Sequence, residues 1–65
     1  MRNNIRELRK KKKLSQEELA NLCGVTRQTI NAIENDKYDP TLQLAFNLAK
    51  FLDTLVDNLF DPDEL

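Results

Sequence analysis

Arg27, Gln28 and Asn31 stand close together in a chain of 65 residues, each ending in a planar polar group. Arginine can bridge guanine O6 and N7, and glutamine can bridge adenine N6 and N7. At the start of an isolated helix the same residues would be ordinary surface polarity. Their meaning therefore depends on the elements that hold them. Bond-making chemistry has little support. The chain has no histidine and one cysteine, Cys23. That leaves no acid–base group tuned near neutral pH, no Cys–His or Ser–His pair, and no zinc site by Cys and His spacing. The carboxylates are scattered over predicted helix surfaces and the tail. An enzyme is not expected, nor a cofactor, nor a small-molecule ligand.

The positioning scaffold is small. Residues 1–65 make one domain, near the lower limit at which a hydrophobic core holds a fold alone. A hydrophobic content of 40% with 32% charged residues fits a globular chain. No apolar run approaches the roughly 20 residues needed to span a bilayer. The start, MRNNIRELRKKKK, lacks the apolar segment of a secretory signal, which predicts a cytoplasmic protein without a membrane partner. Net charge is −1, but Arg2, Arg6, Arg9 and Lys10 to Lys13 crowd the beginning while Asp53, Asp57, Asp61, Asp63 and Glu64 crowd the end. Such a chain can present a positive face while staying nearly neutral, although a solvated helix face followed by an acidic tail accounts for the charges as well.

The punctuation predicts an all-α chain of five short helices. The first runs from about Asn3 to Lys12, with Ile5 and Leu8 inward and Leu14 entering the core after it. Ser15 and Glu18 form a capping box, with Leu14 and Leu19 placed as a hydrophobic staple. A second helix from Gln16 to about Leu22 turns Leu19, Leu22 and Cys23 inward and ends at Gly24, where positive φ is expected. Thr26 caps a third helix carrying Arg27 to Glu34, with Val25, Ile30 and Ile33 as its apolar stripe. Asn35 to Pro40 form a loop, and Thr41 caps a fourth helix. There Leu42, Ala45, Phe46 and Ala49 make one core stripe, extended by Leu44, Leu48, Phe51 and Leu52. A last short helix carries Val56, Leu59 and Phe60 before Asp61-Pro62 stops it.

Residues 16–35 thus read as two helices joined by about three residues, a helix-turn-helix. The spacing has a steric cause: Ala20 is small where the second helix crosses, Gly24 permits the turn, and Ile30 faces the core beneath the crossing. In this setting the third helix enters a DNA major groove with its N-terminal residues toward base edges. Arg27, Gln28 and Asn31 become candidate base readers. Gln16, Thr26, Thr29, Asn35, Lys37 and Tyr38 are candidates for the phosphate backbone, and Thr26 serves also as a cap.

The run Gln16-Glu17-Glu18-Leu19-Ala20, then Gly24-Val25-Thr26-Arg27-Gln28-Thr29-Ile30, then Ile33-Glu34-Asn35, resembles the Cro/cI-like (Xre-like) phage-repressor family. The resemblance covers nearly the whole chain and points to compact stand-alone members. It implies a five-helix lambda-repressor-like domain that binds double-stranded DNA and regulates transcription, in the expected case as a repressor. Three turn positions, and the cap of helix five, depart from the family pattern. Lys13 stands where Gly or Asn is usual, Asp36 replaces the Gly after Glu-Asn, and Asp53 replaces a frequent Gly between helices four and five. The Ser that caps helix five aligns with Leu55, while Thr54 offers a cap one residue earlier.

Useful specificity from so small a domain calls for a homodimer reading an inverted repeat, with half-sites about 10 base pairs apart. Phe51, Leu55 and Phe60 are candidates for the dimer interface and equally for the monomer core, with Val56 and Leu59 expected in the core and Leu65 a further interface candidate. The alternative is an antitoxin-like or coregulator module that uses the same fold to bind another protein. The basic run Arg9 to Lys13 is expected on a helix-one surface near DNA, and Cys23 is expected as a small core residue.

Overall fold

The computed structural model describes residues 2–61, so Leu65 and Pro62 lie outside the described residues. Five helices follow one another: α1 (Ile5–Lys11), α2 (Gln16–Cys23), α3 (Arg27–Glu34), α4 (Leu42–Phe51) and α5 (Val56–Leu59). The local signals explain most boundaries. Ser15 accepts from the Glu18 amide while the Glu18 carboxylate accepts from the Ser15 amide, at 3.0 and 2.9 Å, which is the capping box of α2. The Ser15 amide, and after it the Ser15 hydroxyl, hold the Glu18 carboxyl below its ordinary pKa. Thr26 and Thr41 cap α3 and α4 through their hydroxyls, as their placement predicts.

The first four helices end in the same way. In each, one residue takes a left-handed conformation: Lys13 (φ 58°), Gly24 (φ 70°), Asp36 (φ 61°) and Asp53 (φ 57°). The residue after it donates to a carbonyl five back: Leu14 to Arg9, Val25 to Ala20, Lys37 to Ala32 and Thr54 to Ala49, at 2.9–3.0 Å. This is the Schellman closure, normally a glycine position. Gly24 alone meets that preference, and a Cβ there would touch nothing within 4 Å, so the demand is one of backbone angle. The three turn positions that depart from the family pattern fall at the other three ends.

One core joins all five helices through Ile5, Leu19, Ala20, Ile30, Ile33, Leu44, Ala45, Leu48, Ala49, Leu52, Leu59 and Phe60. Ala20 and Ile30 are buried where the crossing requires. The chain ends are clasped: Asn4 donates to the Leu59 carbonyl and Asp61 to the Arg2 carbonyl, both at 2.9 Å, bridging Asn3 to Phe60. That clasp shortens α1, which begins at Ile5 and not at Asn3.

Several inward assignments need correction. Leu22 is exposed. On α4, Leu42 (69% exposed) and Phe46 (56%) point outward, while Leu44, Ala45, Leu48, Ala49 and Leu52 face the core. Gln43, Asn47 and Lys50 mark the outer face of α4 at helical spacing; Phe46 lies beside that polar stripe, and Leu42 stands in the first turn. Phe60, left open between core and dimer interface, is buried, held inward by the terminal clasp. Leu55, not Thr54, occupies the start of α5, and no side chain caps it. Cys23 is half-buried against the core, and burial pushes its thiol pKa up, as expected of an unreactive thiol.

Candidate nucleic-acid interface

α3 carries two different faces. Ile30 and Ile33 are buried on one side, and Arg27, Gln28 and Asn31 are exposed on the other. No hydrogen bond or ion pair ties the side chains of Arg27, Gln28 or Asn31 to any other described residue. Arg27 is the first residue of the helix, and no acidic residue shares that first turn. A cation there opposes the helix dipole, whose N-terminal end favours negative charge. The preceding helix follows the opposite rule, with Glu17 and Glu18 in its first turn. Thr26 caps the start of α3, but the Arg27 charge is disfavoured there by the dipole and stands exposed to an anionic partner.

The flanking candidates divide into two groups. Thr26 Oγ1 accepts from the Thr29 amide at 3.3 Å and shares a 3.1 Å hydrogen bond with Thr29 Oγ1, so the two hydroxyls sit together at the helix start. Lys37 and Tyr38 are exposed in the loop after α3. Gln16 and Asn35 are held more firmly. Gln16 Nε2 donates to Glu34 Oε1 at 3.0 Å, and Asn35 bridges the Asn31 carbonyl (2.9 Å) and Arg6 Nη2 (3.1 Å).

Behind this face lies a cluster that the sequence reading did not single out. The Glu34 side chain is wholly inaccessible. Arg9 Nε and Nη2 donate to its two oxygens at 2.8 and 3.2 Å, and Arg6 Nε donates at 3.3 Å. Arg9 also donates to the Leu14 carbonyl at 3.0 Å, tying the α1–α2 turn to the same point. Burial opposes ionisation of Glu34, but the hydrogen bonds from Arg9, Gln16 and Arg6 and the charge of Arg9 outweigh it, so its pKa lies below the ordinary value. Arg9 therefore leaves the exposed basic run, while Lys10 to Lys13 remain on the surface. Asn3 was missed too: its Nδ2 donates to the Ile33 carbonyl at 2.8 Å and to Asp36 at 3.2 Å, closing the end of α3 against the N-terminus. The one available hint was that Arg6 and Arg9 share a face of α1, three residues apart.

A family model described as helix-turn-helix matches residues 5–58. The chain belongs to the helix-turn-helix family. A helix-turn-helix transcriptional regulator of Methanocaldococcus jannaschii is 48% identical over 60 residues, spanning 92% of this chain and 91% of that protein. One from Archaeoglobus fulgidus is 45% identical over 67 residues, spanning 100% and 96%. Among solved structures, the restriction-modification controller protein C.AhdI from Aeromonas hydrophila superposes with a TM-score of 0.81 at 38% identity, covering 88% of this chain and 86% of that one. The N-terminal DNA-binding domain of SinR from Bacillus subtilis gives 0.81 at 30% identity, covering 95% and 91%. The all-α, five-helix lambda-repressor-like fold and the Cro/cI-like resemblance are thereby shown. The family is one of transcriptional regulators, and this member is not an enzyme. No helix among its described residues is long and apolar enough to cross a membrane.

Proposed function

We propose that this helix-turn-helix protein is a cytoplasmic, sequence-specific transcriptional repressor that binds double-stranded DNA. In this reading α3 enters the major groove, Arg27 and Gln28 read base edges, and Asn31 follows one turn later. The observation that carries it is the first turn of α3: an arginine and a glutamine without partners among the described residues, at a helix end whose dipole disfavours the cation. Thr26, Thr29, Gln16, Asn35, Lys37 and Tyr38 surround that turn as phosphate contacts, which supply affinity and register without reading sequence.

The protein acts as a homodimer on an inverted repeat. Exposed apolar surface supports this: Leu55 (67% exposed) and half-buried Phe51 remain available, and Leu42 and Phe46 add to them. Phe60 drops out because its ring is in the core. Sedimentation equilibrium should show a dimer that Leu55→Asp dissociates, and a wild-type monomer at high micromolar concentration would overturn the pairing.

The test of the function is selection of bound sequences from a randomised duplex library at moderate salt. The expected result is an inverted repeat with half-sites about one helical turn apart, bound with a steep salt dependence. No enrichment, together with binding insensitive to salt, would transfer the fold to the partner-binding role.

A further inference from the structure

We infer that Glu34 is a positioning residue for DNA binding: from a fully buried site, its carboxylate sets the placement of two phosphate contacts on either side of α3, Gln16 and Asn35. The inference rests on the DNA-binding reading above, and Glu34 itself touches no DNA in it.

The argument starts from Gln16. A free glutamine side chain at a helix start samples many rotamers, and its amide can present either oxygen or nitrogen outward. An ionised carboxylate accepts hydrogen bonds and donates none. Glu34 Oε1, 3.0 Å from Gln16 Nε2, therefore dictates which end of the amide turns inward. One Nε2 hydrogen is engaged there, and the second stays on a nitrogen whose position is fixed, a donor of the kind a phosphate oxygen accepts. The same carboxylate oxygen receives Arg6 Nε at 3.3 Å, and Arg6 Nη2 reaches Asn35 Oδ1 at 3.1 Å. Asn35 is further held by its bond to the Asn31 carbonyl. One carboxylate thus ties the start of α2 to the end of α3 through two short relays.

Arg9 supplies the rigidity. Its two bonds to the carboxylate, with the third to Leu14, keep Glu34 from following either relay when Gln16 or Asn35 moves. The lowered pKa of Glu34 keeps it an acceptor at any pH where the protein would work. A contact whose geometry is fixed before binding loses less conformational freedom on association than one that must be ordered then.

The test separates positioning from stability. Truncating Glu34 alone leaves Arg9 buried without its partner and threatens the fold. Replacing the pair together, Glu34→Leu with Arg9→Met, puts apolar groups of similar volume in the same space and is expected to fold, because such exchanges are commonly neutral or stabilising. Affinity for the duplex selected by the wild type is then measured by fluorescence anisotropy in four backgrounds: wild type, Gln16→Ala, the Leu/Met pair, and all three changes together. The Leu/Met protein should bind about tenfold more weakly, the worth of one charge-assisted hydrogen bond. The loss should be the same on mismatched duplexes, so the sequence preference is unchanged. Gln16→Ala should weaken the wild type and have almost no further effect in the Leu/Met background. That non-additivity is the readout a purely structural Glu34 would not produce. Wild-type affinity in the folded Leu/Met protein, or an equal effect of Gln16→Ala in both backgrounds, overturns this inference while leaving the DNA-binding reading intact. A wild type that binds no duplex overturns both. Should the Leu/Met protein not fold, the same cycle run with Glu34→Gln decides the matter at low temperature, with additive effects of Glu34→Gln and Gln16→Ala overturning the inference.

Discussion

α3 begins and ends with arginines and amides nearby, and the two ends use them in opposite ways. At its C-terminal end, Arg6, Arg9 and Gln16 converge on the inaccessible Glu34 carboxylate, and the donors that face it are engaged within the protein. At its N-terminal end, Arg27 and Gln28 have no partner among the described residues and project outward. Residue type is nearly the same in both places. What differs is whether the fold supplies a carboxylate. The locked end contributes to folding; the open end leaves hydrogen-bonding capacity for another molecule.

The sharpest way to break this contrast is to exchange the consequences of losing an arginine. Glu34→Ala, or Arg9→Ala, leaves one buried charge without its partner and should destabilise the protein by about 3–5 kcal/mol. For a domain this small that is a large part of its total stability. Arg27→Ala removes the same kind of side chain from the open end and should change stability by no more than about 0.5 kcal/mol. Urea denaturation followed by circular dichroism checks both. Similar midpoints for Arg9→Ala and Arg27→Ala would mean that the two ends are not different in kind.

Acid offers a second lever on the locked end, acting also on Glu18 in the capping box of α2, which both proteins compared below retain. The folded pKa of Glu34 lies below its unfolded value. Its contribution to stability is therefore complete above the unfolded value, about 4.3, and is lost as pH falls through the lower, folded value. Thermal midpoints should drop through that acid window in the wild type and drop less in the Leu/Met protein, which has no carboxylate at this site. An equal acid response in the two proteins would place the titrating group elsewhere.

At the open end the expected effect is on discrimination. Arg27→Ala and Gln28→Ala should each lower the preference for the selected duplex over one mismatched at the contacted base by about 1–3 kcal/mol, with folding unchanged. Competition binding with single-mismatch duplexes measures this. If Arg27→Ala weakened every sequence equally, Arg27 would be a phosphate contact and not a reader.

This contrast also marks how far the sequence could be read. Signals that act over three or four residues were legible: Ser15 with Glu18, Thr26 and Thr41 at helix starts, and Gly24 at the turn. They placed α2 and α3 almost to the residue, and with them the candidates Arg27, Gln28 and Asn31. The locked end was not legible, because its bonds span 18 to 28 residues and Glu34 looks like any polar residue at the end of an amphipathic helix. The face of α4 was legible but misread: Gln43, Asn47 and Lys50 mark its outer side at helical spacing, yet Leu42 and Phe46 were assigned to the core and proved exposed. Asn3 failed for a third reason, since the bridge to Phe60 is a pairing between the two chain ends that no local spacing signals.

The last prediction belongs to neither end of α3 and serves as the control for both. Lys13 holds a left-handed conformation at the end of α1, where a side chain with a Cβ costs energy and lysine offers no local hydrogen bond to offset it. Its backbone already makes the Schellman bonds, from its own amide to the Lys10 carbonyl at 3.0 Å and from Leu14 to Arg9 at 3.0 Å. Lys13→Gly therefore relieves strain without changing a contact, and part of the gain is returned through the greater freedom of glycine in the unfolded chain. The net should be a stabilisation of about 0.5–1 kcal/mol, visible as a higher urea midpoint at unchanged slope. Gly24→Ala poses the reverse question at the equivalent end of α2 and should destabilise by about 1 kcal/mol, since only the backbone angle and no neighbouring atom resists the added Cβ. Base preference should be unaltered by Lys13→Gly. If stability rose and the ranking of duplexes also changed, sequence reading would depend on overall rigidity, and the division between a locked and an open end of α3 would not hold.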